Sequence, residues 1–346
     1  LMSWTKRDRF NAVMNGELAD RVPITAYRHH TDFEHSGPRV LADKLLEFQR
    51  EYDWDVLKIN PRAVYYYEAW GNEYDYDHYN DVVPTRTKTV VNDYRDLEKV
   101  QVLPGDQGVL GEQLDMCKMI VQESDPNVPI FQSAFTPIGI LLNLCGMRSV
   151  GRYRPSPRDE SPLISLCLER PEEVKRALKN IAETMADYCS KLMTTGIDGV
   201  FYACLGMART GYFTMDEWKE FVEPYDLMVL EALKGSQSII HTCGIYGNPE
   251  RFTSWPIKMI HWASSATGCP SIEGSQTWLN GKIAMGGVDE RPFGENKAQE
   301  IGQLARATLL KMKDQPFLLA PDCSVSIHTQ DDELRIFRAS VEENKR

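Results

Sequence analysis

The amino-acid sequence predicts an α/β fold, namely a single (β/α)8 TIM barrel. Eight short apolar runs of strand type follow one another along the chain, and helical patterns separate most of them. Alternating strands and helices pair in parallel through right-handed crossovers, and eight such units close into a barrel. An open doubly wound sheet is the alternative fold, but no GxGxxG motif follows the first strand.

The strands are predicted from short runs rich in β-branched and aromatic residues, bounded by turn residues. They cover residues 22–27, 55–60, 128–133, 199–204, 238–243, 259–263, 283–288 and 317–322.

The helices are predicted from apolar residues at helical spacing and from start and stop residues. Ser3 and Gly16 bound the first helix, Pro171 opens the longest one and Thr214 caps another. The predicted ranges are 3–16, 39–52, 108–123, 171–195, 215–233, 297–313 and 330–343, with shorter helical stretches at 249–254 and 271–279. Residues 146–161, which include Arg148 and two prolines, are expected to form a loop.

One domain over residues 1–346 is expected, since the sequence has no internal repeat, low-complexity segment or linker. A barrel of about 250 residues leaves room for an amino-terminal helix and an insertion after strand 2. That insertion, at about 62–107, is dense in tyrosine and has a candidate hairpin at 87–92. It would form either a binding wall or a surface cover over the barrel end.

Composition excludes several classes of function. The net charge of −11 argues against binding to nucleic acid or to an anionic membrane surface. No apolar run is long enough to span a membrane, and no signal peptide is recognised. The eight cysteines contain no CxxC pair, so the sequence indicates a reduced, cytoplasmic protein.

The carboxyl ends of the strands are where a barrel carries its functional residues. The polar residues at these predicted ends are Arg28, His29, His30, Asn60, Gln132, Tyr202, Cys204, His241, Cys243, His261, Asp289, Glu290, Asp322 and Cys323. The candidates for binding a small substrate are Arg28, His29, Asn60, Gln132, Tyr202 and Asp289.

His241 and Cys243 are candidate metal ligands, because residues two apart in a strand point the same way. Cys323 ends another predicted strand and completes a set of one imidazole and two thiolates. This set suits Zn²⁺ with one position left open, whereas Mg²⁺ and Ca²⁺ prefer oxygen. The alternative is a hydrogen-bonded core histidine beside buried thiols. As metal ligands, the three residues would also be the catalytic ones. The metal that they hold would bind a substrate thiol in its deprotonated, nucleophilic form.

Three motifs carry a resemblance to a known family. His241-Thr-Cys243-Gly244, Met285-Gly-Gly-Val-Asp289 and Ala320-Pro-Asp-Cys323 resemble motifs of the uroporphyrinogen decarboxylase superfamily. More narrowly, they resemble its zinc-dependent, corrinoid-linked methyltransferase branch, which includes methylcobamide:coenzyme M methyltransferases. The similarity extends through residues 196–202 and 221–225 and so covers most of the chain. It implies a single (β/α)8 barrel with zinc held by His241, Cys243 and Cys323.

The sequence departs from the decarboxylases where they bind their substrate. Arg28 matches the first arginine of their MRQAGR motif, but Asp32 stands at the second arginine position. Asn60 stands where those enzymes place an aspartate after strand 2. The related cobalamin-independent methionine synthases add a glutamate ligand at the end of strand 6, where this chain has no carboxylate. Water, substrate or another residue such as His261 would then fill the fourth zinc position.

The leading hypothesis is zinc-dependent methyl transfer between a corrinoid cofactor and a small methylated donor or thiol acceptor. The tyrosine-rich insertion suggests an aromatic or methoxylated donor, as in O-demethylation. The corrinoid is expected on a separate carrier protein, because the chain contains no DxHxxG cobalamin motif. The alternatives are a metal-free decarboxylase of the uroporphyrinogen type and a non-catalytic module that binds a corrinoid protein.

Overall fold

A computed structural model describes residues 4–147, 151–154 and 158–343 of the protein. Its strands are β1 (Leu57–Ile59), β2 (Glu73–Asn80), β3 (Val83–Lys88), β4 (Ile130–Phe135), β5 (Gly199–Leu205), β6 (Ile239–Thr242), β7 (Met259–Trp262), β8 (Ile283–Val288) and β9 (Phe317–Pro321). Seven of them form a parallel sheet in the order β1-β4-β5-β6-β7-β8-β9. The chain therefore has an α/β fold with a curled parallel sheet, as the alternating pattern predicts.

The first predicted strand, 22–27, is reduced to an isolated bridge. Ile24 pairs in parallel with Leu319 of β9, and the Asp55 amide donates to the Ile24 carbonyl at 3.0 Å. This segment thus lies between the two edge strands of the sheet. Pro23 has no amide hydrogen, which limits the ladder that the segment can form.

The helices surround the outer face of the sheet. Their bounds are α1 (Lys6–Met14), α2 (Pro38–Tyr52), α3 (Tyr65–Glu68), α4 (Gly108–Glu123), α5 (Pro137–Leu144), α6 (Pro162–Glu169), α7 (Pro171–Met193), α8 (Met215–Phe221), α9 (Glu223–Glu231), α10 (Ala298–Lys311) and α11 (Asp331–Ala339). Within the described ranges, none of these helices has the length and apolar character needed to cross a membrane.

Several helices differ from their predicted form. The predicted helix 215–233 is interrupted at Val222, because Pro224 cannot continue the hydrogen-bond ladder of α8. The stretches at 249–254 and 271–279 shorten to 3₁₀ turns at Pro249–Phe252 and Ser275–Thr277. Helices α3, α5 and α6 were not predicted.

Other predicted features lie partly outside the described residues. Ser3, the predicted start of the first helix, lies outside the described residues. In the structure, Thr5 caps α1 and forms a capping box with Asp8. Within the predicted loop 146–161, Arg148 and both prolines are also outside the described ranges. The insertion contains an antiparallel hairpin of β2 and β3, which begins earlier in the chain than the predicted 87–92.

Two apolar layers follow from the alternation of side chains along the strands. A smaller inner cluster, enclosed by the sheet, includes Phe131, Phe201, Met259 and Leu318 and is closed at one end by Phe10 of α1. A larger outer cluster lies between the sheet and the helices. The parity of a strand residue therefore decides whether its side chain faces the interior of the sheet or the helices.

Candidate metal centre

His241, Cys243 and Cys323 lie together at the carboxyl end of the sheet. His241 belongs to β6, Cys243 follows it directly, and Cys323 lies two residues beyond β9. The Cys323 sulfur is 3.6 Å from the Cys243 sulfur and 3.7 Å from His241 Nε2. The three ligand atoms all lie within 4.8 Å of one another, so this group could hold a metal ion.

The spacing of these atoms fits a tetrahedral site with one open position. Bonds of about 2.3 Å to sulfur and about 2.0 Å to nitrogen separate two sulfur ligands by about 3.8 Å and sulfur from nitrogen by about 3.6 Å. Two of the three observed separations, 3.6 and 3.7 Å, are close to these values, and the third, between His241 and Cys243, is no more than 4.8 Å. The cluster is compatible with zinc, and among the described residues it has no fourth protein ligand.

The two thiols interact as a donor and an acceptor. The pKa of Cys323 lies well below its usual range, because Cys243 donates a hydrogen bond to it and Arg152 and His241 lie nearby. The pKa of Cys243 is raised correspondingly by its hydrogen bond to Cys323 and by burial. Deprotonation of the pair therefore favours Cys323 over Cys243.

Gly244 shapes the turn that follows Cys243. Its φ of +74° lies in the left-handed region, and a Cβ atom there would be 2.1 Å from the Arg152 carbonyl oxygen. The Ile245 amide donates to the same oxygen at 2.8 Å, which fixes residues 151–154 over the cluster. A glycine is required at this position by both the backbone conformation and the close approach.

Asp322 holds the loop that presents Cys323. Its carboxylate accepts hydrogen bonds from the Ser265 amide at 2.8 Å, the Gly287 amide at 3.1 Å and the Ser264 hydroxyl at 3.2 Å. These donors follow β7 or belong to β8, so one buried side chain ties three neighbouring strand ends together. Burial nevertheless raises the pKa of Asp322 to about 6.

His261, the residue considered above for the fourth position, is engaged elsewhere. Its Nε2 donates to the Pro321 carbonyl at 2.9 Å, so its Nδ1 is free to accept the Tyr27 hydroxyl at 3.3 Å. Burial lowers its pKa well below the usual value, which keeps the ring neutral. Its ring stacks on that of His241 with centroids 4.7 Å apart. These contacts assign His261 a packing role beside the cluster.

A cavity of about 330 Å³ opens beside the three candidate ligands. His241, Cys243 and Cys323 line one side of it, and Lys58 and Asn60 at the end of β1 contribute polar groups. Asp81, Val82 and Val83 at the tip of the hairpin also line it, so the insertion forms part of the cavity wall.

Lys58 is a cavity residue that the sequence did not single out. Its ammonium lies 4.2 Å from the ring centre of Tyr27 and 4.5 Å from that of Phe201, and it donates a hydrogen bond to Asn60 Oδ1. Desolvation lowers the pKa of Lys58 to about 7. The sequence did contain a signal for Lys58, namely a charged residue inside an otherwise apolar predicted strand. Such a residue can reach the cavity only if its side chain points to the inside of the barrel.

Arg152 is a second residue missed from the sequence. It pairs with Glu290 at 3.4 Å and donates to the Ser324 hydroxyl at 2.9 Å. Tyr153 also donates to Glu290, whose pKa is raised by burial to about 7. The loop 151–154 thus binds both Ser324, next to Cys323, and the turn after Cys243. Its position depends on contacts between distant segments, and no local pattern reveals them.

The six predicted substrate residues fall into two groups by their position. His29 and Asn60 line the cavity. The other four contact different partners. Arg28 donates to the Thr329 carbonyl, Gln132 to Gln113 and Tyr188, and Tyr202 to Asp226, while Asp289 pairs with Arg291.

The alternation of side chains along a strand explains the positions of Gln132 and Tyr202. Their neighbours Ser133 and Ala203 line the cavity, so Gln132 and Tyr202 point to the opposite face and contact the helices. The substrate-binding roles of Arg28, Gln132, Tyr202 and Asp289 stay predictions.

The chain is similar to several solved structures. A methyltransferase from Methanosarcina mazei matches with a TM-score of 0.78 at 16% identity, with 99% of each chain covered. A B12-independent methionine synthase from Shewanella sp. W3-18-1, in complex with selenomethionine, matches with a TM-score of 0.53 at 11% identity, covering 88% of this chain and 86% of that one. A putative vitamin-B12 independent methionine synthase from Listeria monocytogenes has a TM-score of 0.52 at 12% identity, covering 93% and 95%.

At these identities, the similarity to solved structures shows the fold alone. Among curated proteins, none matches the sequence. The model of one protein family, described as uroporphyrinogen decarboxylase (URO-D), matches residues 5–344. Because this match spans nearly the whole chain and agrees with the three motifs of the sequence, the protein belongs to the uroporphyrinogen decarboxylase family.

Proposed function

We propose that this protein is a zinc-dependent methyltransferase that moves a methyl group between a corrinoid and a small methylated donor or thiol acceptor. One observation carries the proposal. The ligand atoms of His241, Cys243 and Cys323 lie within 4.8 Å of one another and border a cavity with room for a small substrate. The methyltransferase from Methanosarcina mazei, which has a similar fold, supports the reaction class.

The donor set determines the chemistry that the site favours. Zinc bound by two thiolates and one imidazole would lower the pKa of a substrate thiol, so that the thiol is held as a nucleophilic thiolate. His241, Cys243 and Cys323 would supply these ligands and leave the fourth position to the substrate. The apolar rings of Phe201 and Tyr27 beside the cavity limit the access of water to the reacting atoms.

Methyl transfer in the thiol direction forms a carbon–sulfur bond and breaks the cobalt–carbon bond of the corrinoid. The cobalt retains the electron pair, and the thiol proton leaves when the thiolate forms. In the opposite direction, cobalt(I) attacks the methyl carbon of a donor, and the leaving group departs with the electron pair. An aromatic or methoxylated donor suits the tyrosine-rich insertion, whose hairpin tip borders the cavity.

The proposal includes several features of the wider protein. We take the complete fold to be a (β/α)8 barrel in a single domain, with the insertion at 62–107. We place the corrinoid on a separate carrier protein, since the chain has no DxHxxG motif. We also place the protein in the cytoplasm, which agrees with its eight free cysteines.

The alternative function, that of a metal-free decarboxylase, agrees less well with the size and lining of the cavity. Binding a tetrapyrrole with several carboxylates needs a large basic pocket, whereas about 330 Å³ lies at the lower end of the range for small-molecule sites. Arg28, which matches the first arginine of the decarboxylase motif, packs on Phe48 and donates to Thr329. A decarboxylase would also leave the cluster of His241 and two cysteines without a role.

Metal analysis and a cobalamin assay test the proposal together. Protein purified without chelator is expected to contain about one zinc ion per chain. The zinc-loaded protein should convert cob(I)alamin to methylcobalamin with a methylated donor, or consume methylcobalamin with a thiol acceptor. The visible spectrum of the corrinoid reports either change. Metal-free protein that transfers methyl groups at the full rate would refute the zinc mechanism. Tight binding of a corrinoid protein without transfer across the donor panel would favour the non-catalytic alternative.

A further inference from the structure

Arg209 is a buried arginine on the loop that follows β5. The residue is only 3% exposed, although its guanidinium carries a charge and five N–H donors. Moving such a group out of water costs free energy unless hydrogen bonds replace those lost to water. The hydrogen bonds that the guanidinium makes therefore indicate what this residue contributes.

The guanidinium of Arg209 donates to three backbone carbonyls of the loop 151–154. Nη1 lies 2.7 Å from the Arg154 oxygen, and Nη2 lies 2.8 Å from the Gly151 oxygen and 3.2 Å from the Arg152 oxygen. A planar, forked guanidinium can donate in several fixed directions at once, whereas the ammonium of a lysine is a compact point charge. Arg209 thus fixes the backbone of this loop as a unit.

Arg152, inside this loop, contacts the segment that follows each of the two cysteines of the cluster. Its carbonyl oxygen accepts the Ile245 amide at 2.8 Å, two residues after Cys243. Its guanidinium donates to the Ser324 hydroxyl at 2.9 Å and to the Ser324 carbonyl at 3.2 Å, directly after Cys323. One residue therefore joins the two segments that present the thiols.

The backbone around Arg209 is itself tied to the neighbouring segments. The amide of the next residue, Thr210, donates to the Tyr246 carbonyl at 2.9 Å. The first two residues of the loop 151–154 line the cavity beside the cluster, whereas Arg209 is not one of its lining residues. Any effect of the Arg209 side chain on the cluster is therefore transmitted through the loop.

We propose that Arg209 is a positioning residue of the metal centre. By fixing the loop 151–154, it holds the segments after Cys243 and Cys323 at the separation that a bound metal ion requires. The same contacts keep the two thiols covered. The effect on a bound metal rests on the proposed function, whereas the protection of the thiols does not.

The visible absorption of Co²⁺ bound in place of zinc tests this role. The bands of a tetrahedral Co²⁺ site with thiolate ligands depend on the positions of the ligands. Arg209→Met and Arg209→Lys should shift these bands and weaken zinc binding by about tenfold to a hundredfold, as loss of a residue that orients a ligand does. If Arg209→Met does not fold, Arg209→Lys decides the outcome, because it keeps the charge without the fork. Unchanged bands and affinity in a folded Arg209 variant would overturn the proposal.

Arg251→Met is the matched control. Burial lowers the pKa of Arg251, as it does that of Arg209. Arg251 also donates to a backbone carbonyl, that of Phe213 at 3.1 Å, but it packs on Trp218 of α8 rather than on the loop 151–154. This variant should bind Co²⁺ with the bands of the wild type. An equal shift in the control would show that the bands follow general destabilisation, which contradicts a positioning role.

Alkylation of the metal-free protein by iodoacetamide tests the protection of the thiols without metal or methyl transfer. Cys243 is 5% and Cys323 9% exposed, and mass spectrometry of peptides gives the rate at each cysteine. In the Arg209 variants both should react roughly tenfold faster or more, because local opening becomes easier. Cys117, which is fully buried in α4, reports opening of the whole fold. Equal increases at all three cysteines, or none, would contradict the role of Arg209.

These measurements separate the role of Arg209 from the proposed function. Faster alkylation of Cys243 and Cys323 in a protein that binds no metal would support the role of Arg209 and refute the zinc mechanism. Conversely, methyl transfer to cobalamin together with unchanged Co²⁺ bands and unchanged alkylation would leave the proposed function standing and overturn the role of Arg209.

Discussion

The thiol sulfurs of Cys243 and Cys323 lie 3.6 Å apart, although 80 residues separate the two cysteines in the chain. Burial would favour two neutral thiols, yet the pKa of Cys323 is lowered by the hydrogen bond that it accepts from Cys243. The fold thus brings two thiols and His241 to a separation that a metal ion can bridge. Metal binding to such a preformed cluster adds to the stability of the folded state.

Removing the metal should therefore destabilise the protein. Free zinc at a hundred times its dissociation constant contributes about 2.7 kcal/mol to the free energy of unfolding, which a chelator would abolish. The Cys243→Ser/Cys323→Ser variant should contain no zinc, and its urea unfolding curve should not respond to chelator. Cys117→Ser is the matched control, because Cys117 is a buried thiol of α4 outside the cluster. Zinc retained by the double variant would contradict the assignment of the ligands.

Gly244→Ala should disrupt the turn after Cys243. The added Cβ would lie 2.1 Å from the Arg152 carbonyl oxygen, and the positive φ disfavours any side chain. We expect a loss of about 3 kcal/mol or more in the free energy of unfolding, together with weaker zinc binding. Gly16→Ala isolates the conformational cost, because Gly16 has φ +79° and no atom within 4 Å of the added Cβ.

The control substitution should cost only about 1 kcal/mol. Urea unfolding of both variants gives the comparison. Equal losses of unfolding free energy in the two variants would show that the close contact with residues 151–154 does not contribute to stability.

The order of strands and helices could be predicted from the sequence because periodicity is a local property. The helix predicted at 171–195 is present as Pro171–Met193, and the resemblance to the uroporphyrinogen decarboxylase superfamily is confirmed by the match over residues 5–344. The predicted first strand is wrong in extent, since only Ile24 forms a bridge. The apolar pattern does not show whether a segment that contains proline has enough backbone N–H groups to form a regular β-ladder.

The cavity was harder to predict than the fold. The rule that functional residues follow strand ends selected Gln132 and Tyr202, but it took no account of side-chain parity, which directs both toward the helices. Parity within β1 would have placed Lys58 beside Asn60 on the inner face. Arg152 could not be identified in this way, because its position depends on contacts with Gly244, Glu290 and Ser324 from distant segments.

Asp322→Asn should weaken metal binding although Asp322 is not one of the candidate ligands. The carboxylate accepts hydrogen bonds from the amides of Ser265 and Gly287, and an asparagine would turn its NH₂ group toward one of these donors. Loss of a residue that orients a ligand typically reduces metal affinity by about tenfold to a hundredfold. Competition with a chromophoric chelator measures the zinc affinity. Asp314→Asn, at an exposed position, is the control, and equal affinities in the two variants would contradict this role.

Asp226 should make the stability of the protein depend on pH. It is fully buried in α9, where desolvation raises its pKa to about 8, and the Tyr202 hydroxyl donates to its Oδ1 at 2.6 Å. Its Oδ2 has no partner among the described residues, which agrees with a protonated carboxyl. Between about pH 4 and pH 8 the folded state keeps this proton while the unfolded state has lost it. The free energy of unfolding should therefore fall as the pH rises, by up to roughly 1.4 kcal/mol per pH unit from this group.

Asp226→Asn should remove this contribution, because an amide keeps an acceptor for Tyr202 and does not titrate. Urea unfolding at a series of pH values gives the difference between variant and wild type, which should change steadily in favour of the variant from pH 4 to pH 8. Tyr202→Phe provides a second test. It removes the hydroxyl that lowers the pKa of Asp226, so the decline in stability should extend to higher pH. Parallel stability curves for Asp226→Asn and the wild type would show that Asp226 is already ionised in the folded protein.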